Sequence, residues 1–158
     1  MPSDFVAALL IAAAIANGLL AGASLDKALV QLPARRKIGL HAMAEYNRAT
    51  DLGPGLILYP ALGLGAPLLT VAAAMAVYFG LDVSNAGVSW ILLGALLSVG
   101  HMITTAQAAP NLLQLRPSIP ADGELEVLYG RFAGWSGVRT LLQVSTFIVV
   151  VVALIATH

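Results

Sequence analysis

The chain has 158 residues, of which 59% are apolar and only 10% charged, with eight basic and eight acidic side chains. A soluble domain of this size needs a charged surface that these residues cannot supply, and zero net charge favours no nucleic-acid partner. The lack of cysteine excludes disulfides, thiol catalysis, thiolate metal sites and iron–sulfur ligation.

Several apolar runs reach the roughly 20 residues that cross a bilayer core as a helix. The predicted architecture is therefore all-α: a single integral membrane domain over 1–158, built as a four-helix bundle with an extra amphipathic helix between spans one and two. The N-terminal Met-Pro-Ser-Asp has no basic segment, so the first run reads as a span and not as a cleaved signal.

Span one covers about 5–25 and is rich in alanine, with Asn17 inside it. Gly18 and Gly22 form a small-xxx-small pair suited to close helix packing. Asp26 and Lys27 follow, and Pro33 is expected to stop the helix. The segment at about 34–51 opens with Arg35-Arg36-Lys37 and then mixes Ile38, Leu40, Met43 and Tyr46 with His41, Glu45, Asn47 and Arg48. It is too polar to span, which predicts an amphipathic helix at the interface or folded against the bundle.

Span two covers about 56–79 and holds Tyr59, Pro60 and Pro67, with kinks expected at the prolines. A short turn carrying Asp82 leads to span three, about 88–109. The second half of that span turns polar at His101, Thr104, Thr105 and Gln107, with Pro110 and Asn111 closing it. Span four covers about 132–156 and is preceded by an amphipathic stretch from near Glu124. Arg131, Trp135 and Arg139 recur there at four-residue spacing, on one side of a helix. Gly130, Gly134 and Gly137 lie beside or behind them, where a neighbouring helix could come close.

All eight Lys and Arg fall in or beside the first and third connections. The positive-inside rule then predicts a bacterial-inner-membrane type of topology, with both termini outside and connections one and three in the cytoplasm. At about 1.5 Å per residue, His101, Gln143 and Asn17 come to similar heights, with Arg139, Gln107 and Tyr59 about one turn lower. Asn47, Arg48, Asn111 and Trp135 would ring the mouth. The expectation is a pocket in the cytoplasmic half of the bundle, with His101 and Arg139 as candidate catalytic residues. Asn17, Asn47, Arg48, Tyr59, Gln107, Asn111, Trp135 and Gln143 are the candidate substrate-binding residues. Each has a simpler reading. His101 could be a hydrogen-bonded packing histidine, whereas its functional reading needs a partner, for which Gln143 and Arg139 are the candidates. Arg139 could snorkel to headgroups, Trp135 could anchor at the interface, and Asn17 and Gln143 could be interhelical glue.

These residues also carry a family likeness. The chain resembles the anthrone oxygenase-like family of small four-span membrane proteins, a domain of unknown function. The matching features are Gly-Leu-Leu-Ala-Gly at 18–22, Ala-Met-Ala-Glu-Tyr-Asn-Arg-Ala at 42–49, Pro110 with Asn111, and Trp135, Arg139 and Thr140. The chain departs from the family pattern at Ser136, where an asparagine is expected, and in having Pro110 and Asn111 adjoin. The resemblance implies oxidation of a lipophilic aromatic, anthrone- or polyketide-like compound by molecular oxygen, with no cofactor, neither metal nor flavin. In that scheme His101 is the base, Arg139 and Asn47 stabilise the anion, and Trp135 stacks on the rings.

Two other functions suit the sequence. One is a non-catalytic accessory subunit, with the bilayer around it and a homo-oligomer or a larger membrane complex as partner. The other is a haem-binding protein using His41 and His101, which lie on different segments without a paired-ligand spacing.

Overall fold

The computed structural model describes residues 2–80 and 84–157; the predicted turn residue Asp82 lies outside the described residues. Those residues form helices and turns: α1 (Pro2–Asp26), a π-helical turn (Lys27–Gln31), α2 (Leu32–Ile38), α3 (Leu40–Ala49), α4 (Gly55–Tyr78), α5 (Asn85–Leu113) and α6 (Asp122–Ala156). Four helical stretches are long and apolar enough to span a membrane, beginning at Asp4, Gly55, Asn85 and Asp122. Their outer faces carry Leu19, Leu29, Ile57, Leu96, Leu141 and Ile155, all exposed. An exposed apolar belt of this extent belongs in lipid, so the chain is an integral membrane helical bundle.

The four long helices close into a ring. α1 packs on α4 and α6, α4 on α5, and α5 and α6 share the most extensive interface. The inward residues of α1 are Val6, Leu10, Ala13, Asn17, Leu20 and Ser24, continued by Lys27 in the π turn, alternating four and three residues apart. That spacing keeps a seam facing its partners over the helix's full length. Gly18 lets α1 and α6 approach, since a Cβ there would stand 3.1 Å from the Phe147 ring. Its partner in the predicted pair, Gly22, meets nothing within 4 Å.

The first helical stretch does not stop at Pro33. At the π turn the Leu32 N–H reaches back to the carbonyl of Lys27, five residues earlier. This wider turn sets Pro33 in the first turn of α2, where a missing N–H costs little. The chain instead breaks at Gly39, whose φ of 88° is one that a side chain would resist. The amphipathic helix is therefore shorter than the 34–51 expected: α3 starts at Leu40, and residues 34–38 extend the first stretch. α5 runs through Pro110 to Leu113, beyond its predicted end. At the other end of that helix the Ser84 hydroxyl accepts from the Gly87 N–H and donates to the Ala156 carbonyl at 2.6 Å, tying the start of α5 to the end of α6.

Two apolar cores lie at opposite ends of the bundle. One joins Val6, Leu10, Ala13, Ala73, Ile91, Val150 and Ala153. The other packs Met43 and Ala44 of α3 against Leu32, Leu112, Leu125, Tyr129 and Phe132. Between them the interior is polar, and the buried side chains there include Asn17, Ser24, Lys27, Asn47, Asp51, Thr70, Ser98, His101, Thr140, Gln143 and Thr146.

Candidate functional site

The polar interior has two parts with different hydrogen bonding. The first is centred on Lys27 in the π turn. Its ammonium forms an ion pair with Asp51 and donates to Asn47 Oδ1 at 2.9 Å and Gln31 Oε1 at 3.1 Å. All three ammonium protons are thus used. Asn47 in turn donates from Nδ2 to the Tyr129 hydroxyl at 2.7 Å. One charge-centred network therefore joins the end of span one, α3, the turn after α3, and α6. Such a pair survives burial when further hydrogen bonds support it, as those from Lys27 to Asn47 and Gln31 do here. Its physical effect is to pin α3 onto the bundle.

The second part runs along the interface of α5 and α6. Gly100 faces Leu142 there, with a Cβ position 3.5 Å from Leu142 Cδ1, so the stretches around His101 and Gln143 lie side by side. His101 and Gln143 are each 2% exposed. Six enclosed side-chain atoms in this region have no hydrogen-bond partner among the described residues: Ser98 Oγ, His101 Nε2, Thr105 Oγ1, Ser136 Oγ, Arg139 Nε and Gln143 Oε1. Buried polar groups are nearly always paired, and each unpaired one costs about 1–3 kcal/mol. All six belong to α5 and α6, and they include atoms of the predicted base and cation. Arg139 is half-buried and stands within Coulombic reach of His101, Lys27, Asp51 and Tyr59.

Of the predicted residues, His101 on α5 and Gln143 on α6 are buried in the interior, and Arg139 on α6 is half-buried within Coulombic reach of His101. The partners named for His101 do not bond its Nε2: neither Gln143 nor Arg139 does so. Asn17 is buried but serves as glue between α1 and α4, donating to Thr70 Oγ1 at 3.0 Å and to the Ala13 carbonyl at 2.8 Å. Asn47 is fully buried, and its side chain is committed to Lys27 and Tyr129. Asn111 is half-buried and donates to carbonyls of its own helix, Gln107 at 2.8 Å and Ala108 at 3.4 Å. Arg48 and Gln107 are exposed, and so are Tyr59 and Trp135 at the margin of the bundle. Arg48 reaches only the Arg116 carbonyl, at 3.5 Å.

Sequence reasoning missed Lys27, Asp51 and Tyr129, whose charges and hydroxyl read as features of span ends. It also passed over Ser98 and Ser136. The signal for both serines was their place on the inward stripes: 94, 98, 101, 104 and 108 in α5 and 136, 140, 143 and 146 in α6. His41 is exposed, as expected, and its Nδ1 lies 2.8 Å from Asp122 Oδ1. Among the described residues no three His, Asp or Glu side chains gather as metal ligands.

No family model matches this chain, and no curated protein or solved structure matches it. The class is therefore set by the molecule itself: an integral membrane helical bundle with a polar interior between two apolar cores.

Proposed function

We propose that this chain is a small membrane enzyme of the anthrone oxygenase-like kind, acting at the α5–α6 interface on a lipophilic aromatic compound with an acidic C–H next to a carbonyl-bearing ring. The observation that carries this reading is an enclosed imidazole nitrogen, His101 Nε2, and an enclosed guanidinium nitrogen, Arg139 Nε, both without a hydrogen-bond partner among the described residues and within Coulombic reach of one another. A base and a cation in an apolar interior suit proton abstraction with stabilisation of the resulting oxyanion.

In this scheme His101 Nε2, in the tautomer that leaves it unprotonated, takes a proton from the ring methylene. The electron pair moves onto the ring oxygen, which Arg139 stabilises, and Gln143 lies one turn further along α6. Molecular oxygen adds to the carbanion carbon and is reduced to the hydroperoxide, which loses water to leave the quinone carbonyl. The balance is anthrone plus O₂ giving anthraquinone plus H₂O. The two remaining members of the earlier set take other roles: Asn47 holds the Lys27 network, and Trp135 sits at the lipid-facing margin.

Turnover of an anthrone by the protein in lipid nanodiscs under oxygen, with quinone detected by absorbance, tests the reading. Loss of about 10²-fold or more in His101→Ala and Arg139→Ala is expected; unchanged turnover in either removes that residue from the scheme. The same reading puts both termini outside and the connections bearing Arg36 and Arg116 in the cytoplasm. Because the chain has no native cysteine, single cysteines at Lys37, Arg116 and Asn85 report sidedness directly. Labelling of Lys37 and Arg116 positions from outside intact cells would reverse the topology.

A second reading, an accessory subunit or oligomer, is favoured by one observation. Gly130, Gly134 and Gly137 are exposed with nothing within 4 Å of their Cβ positions, so no element of this chain uses that face. Native mass spectrometry from mild detergent distinguishes a stoichiometric partner from a monomer.

A further inference from the structure

We infer that Arg139 is the head-binding residue of a site for a lipophilic monoanion, a compact carboxylate or enolate on an apolar body. The inference rests on reading the α5–α6 interface as a ligand site, and it adds the charge state that the site selects.

The argument is one of charge balance. The polar interior holds two cations, Lys27 and Arg139, within Coulombic reach of one another. It holds one buried carboxylate, Asp51, and that carboxylate forms its ion pair with Lys27. Every other described acidic side chain, Asp4, Asp26, Glu45, Asp122, Glu124 and Glu126, is exposed. One positive charge is therefore left without a bonded counter-charge inside the bundle, and it belongs to Arg139. The guanidinium makes no hydrogen bond or ion pair among the described residues, and its Nε is enclosed. An uncompensated charge partly withdrawn from water is unfavourable.

The neighbours define what could supply the missing charge. Thr105, Ser136 and Gln143 offer enclosed polar atoms but no charge. A guanidinium presents its N–H donors as a planar fork that matches a carboxylate or a delocalised oxyanion. Trp135 precedes Arg139 by one helical turn on the same side of α6 and is 41% exposed, so the body of the ligand meets an aromatic surface open to lipid. A dianion would overcompensate a single charge, and a neutral compound would leave it unmet. A monoanion neutralises it.

The test uses the full chain in phosphatidylcholine nanodiscs, with empty nanodiscs as the partition blank. Binding of anthracene-9-carboxylate is compared with that of the neutral anthracene-9-methanol by tryptophan fluorescence. The acid is expected to bind saturably and about tenfold or more tighter than the alcohol. Arg139→Lys should keep the preference and Arg139→Gln should lose it. Equal binding of acid and alcohol by the unaltered protein overturns the inference without recourse to any variant, as does a preference that persists in Arg139→Gln. Dodecanoate separates the two sources of such an anion: displacement of the bound acid assigns the site to fatty-acid-like anions, and failure to displace assigns it to aromatic ones. The two readings fail separately. Anion preference without anthrone turnover leaves this site and removes the enzyme, whereas turnover without anion preference does the reverse.

Discussion

The Lys27 network and the His101–Arg139 interface are close in space, similarly buried, and built from the same kinds of side chain, yet they are opposites in bonding. Around Lys27 all three ammonium protons, and an Asn47 amide proton, find acceptors within the chain. Along α5 and α6, six enclosed atoms find none. The first arrangement is what architecture requires, because unmet polar groups away from water are costly. The second opposes stability, and proteins retain such groups where they have a function. Substitutions in the two regions should therefore shift stability in opposite directions.

The largest effect is expected at Lys27. Lys27→Met leaves Asp51 as an unpaired buried charge and should lower stability by about 3–5 kcal/mol. Adding Asp51→Leu should recover most of that loss. Thermal unfolding followed by circular dichroism in detergent reads both, and a double variant no better than the single would show that the network is not a closed unit. Asn47→Leu comes next, at about 1–3 kcal/mol, because it strands a Lys27 proton and the Tyr129 hydroxyl together. In the other region the sign reverses. His101→Leu removes an unpaired buried nitrogen and should raise stability by about 1 kcal/mol while turnover falls. A variant less stable and still active would break the contrast. Asn17→Ala should be the smallest, about 0.6 kcal/mol, as measured for single hydrogen bonds between membrane helices.

The spans were legible in the sequence because a bilayer demands long apolar runs and little else meets that demand. Heights were legible too, since a helix rises by a fixed amount per residue. This is why the sequence alone sets His101 and Gln143 at similar heights, with Arg139 about one turn lower. Azimuth was not. Gln107 stands at a suitable height but one position before the buried Ala108, and Trp135 one before the buried Ser136; about 100° of rotation takes each off the inward stripe. The Lys27–Asp51 pair was hidden for another reason. Charges at the ends of spans ordinarily mark topology, and nothing in the intervening sequence shows that α3 folds back to bring them together. Gly130, Gly134 and Gly137 had the spacing of a packing face, but that face points away from the bundle.

The π turn has one further consequence. It acts as a one-residue phase shift: the seam that reaches Lys27 in steps of four and three resumes at Leu32, one position later than an unbroken α-helix would place it. Deleting any one residue from Ala28 to Val30 would leave Lys27 and Leu32 four positions apart, so an ordinary α-helix would keep both on the seam without the π turn. A single-codon loss at this point would therefore leave Asn17 and Lys27 facing inward, whereas the same loss within α1 would turn the residues upstream of it off the seam by about 100°.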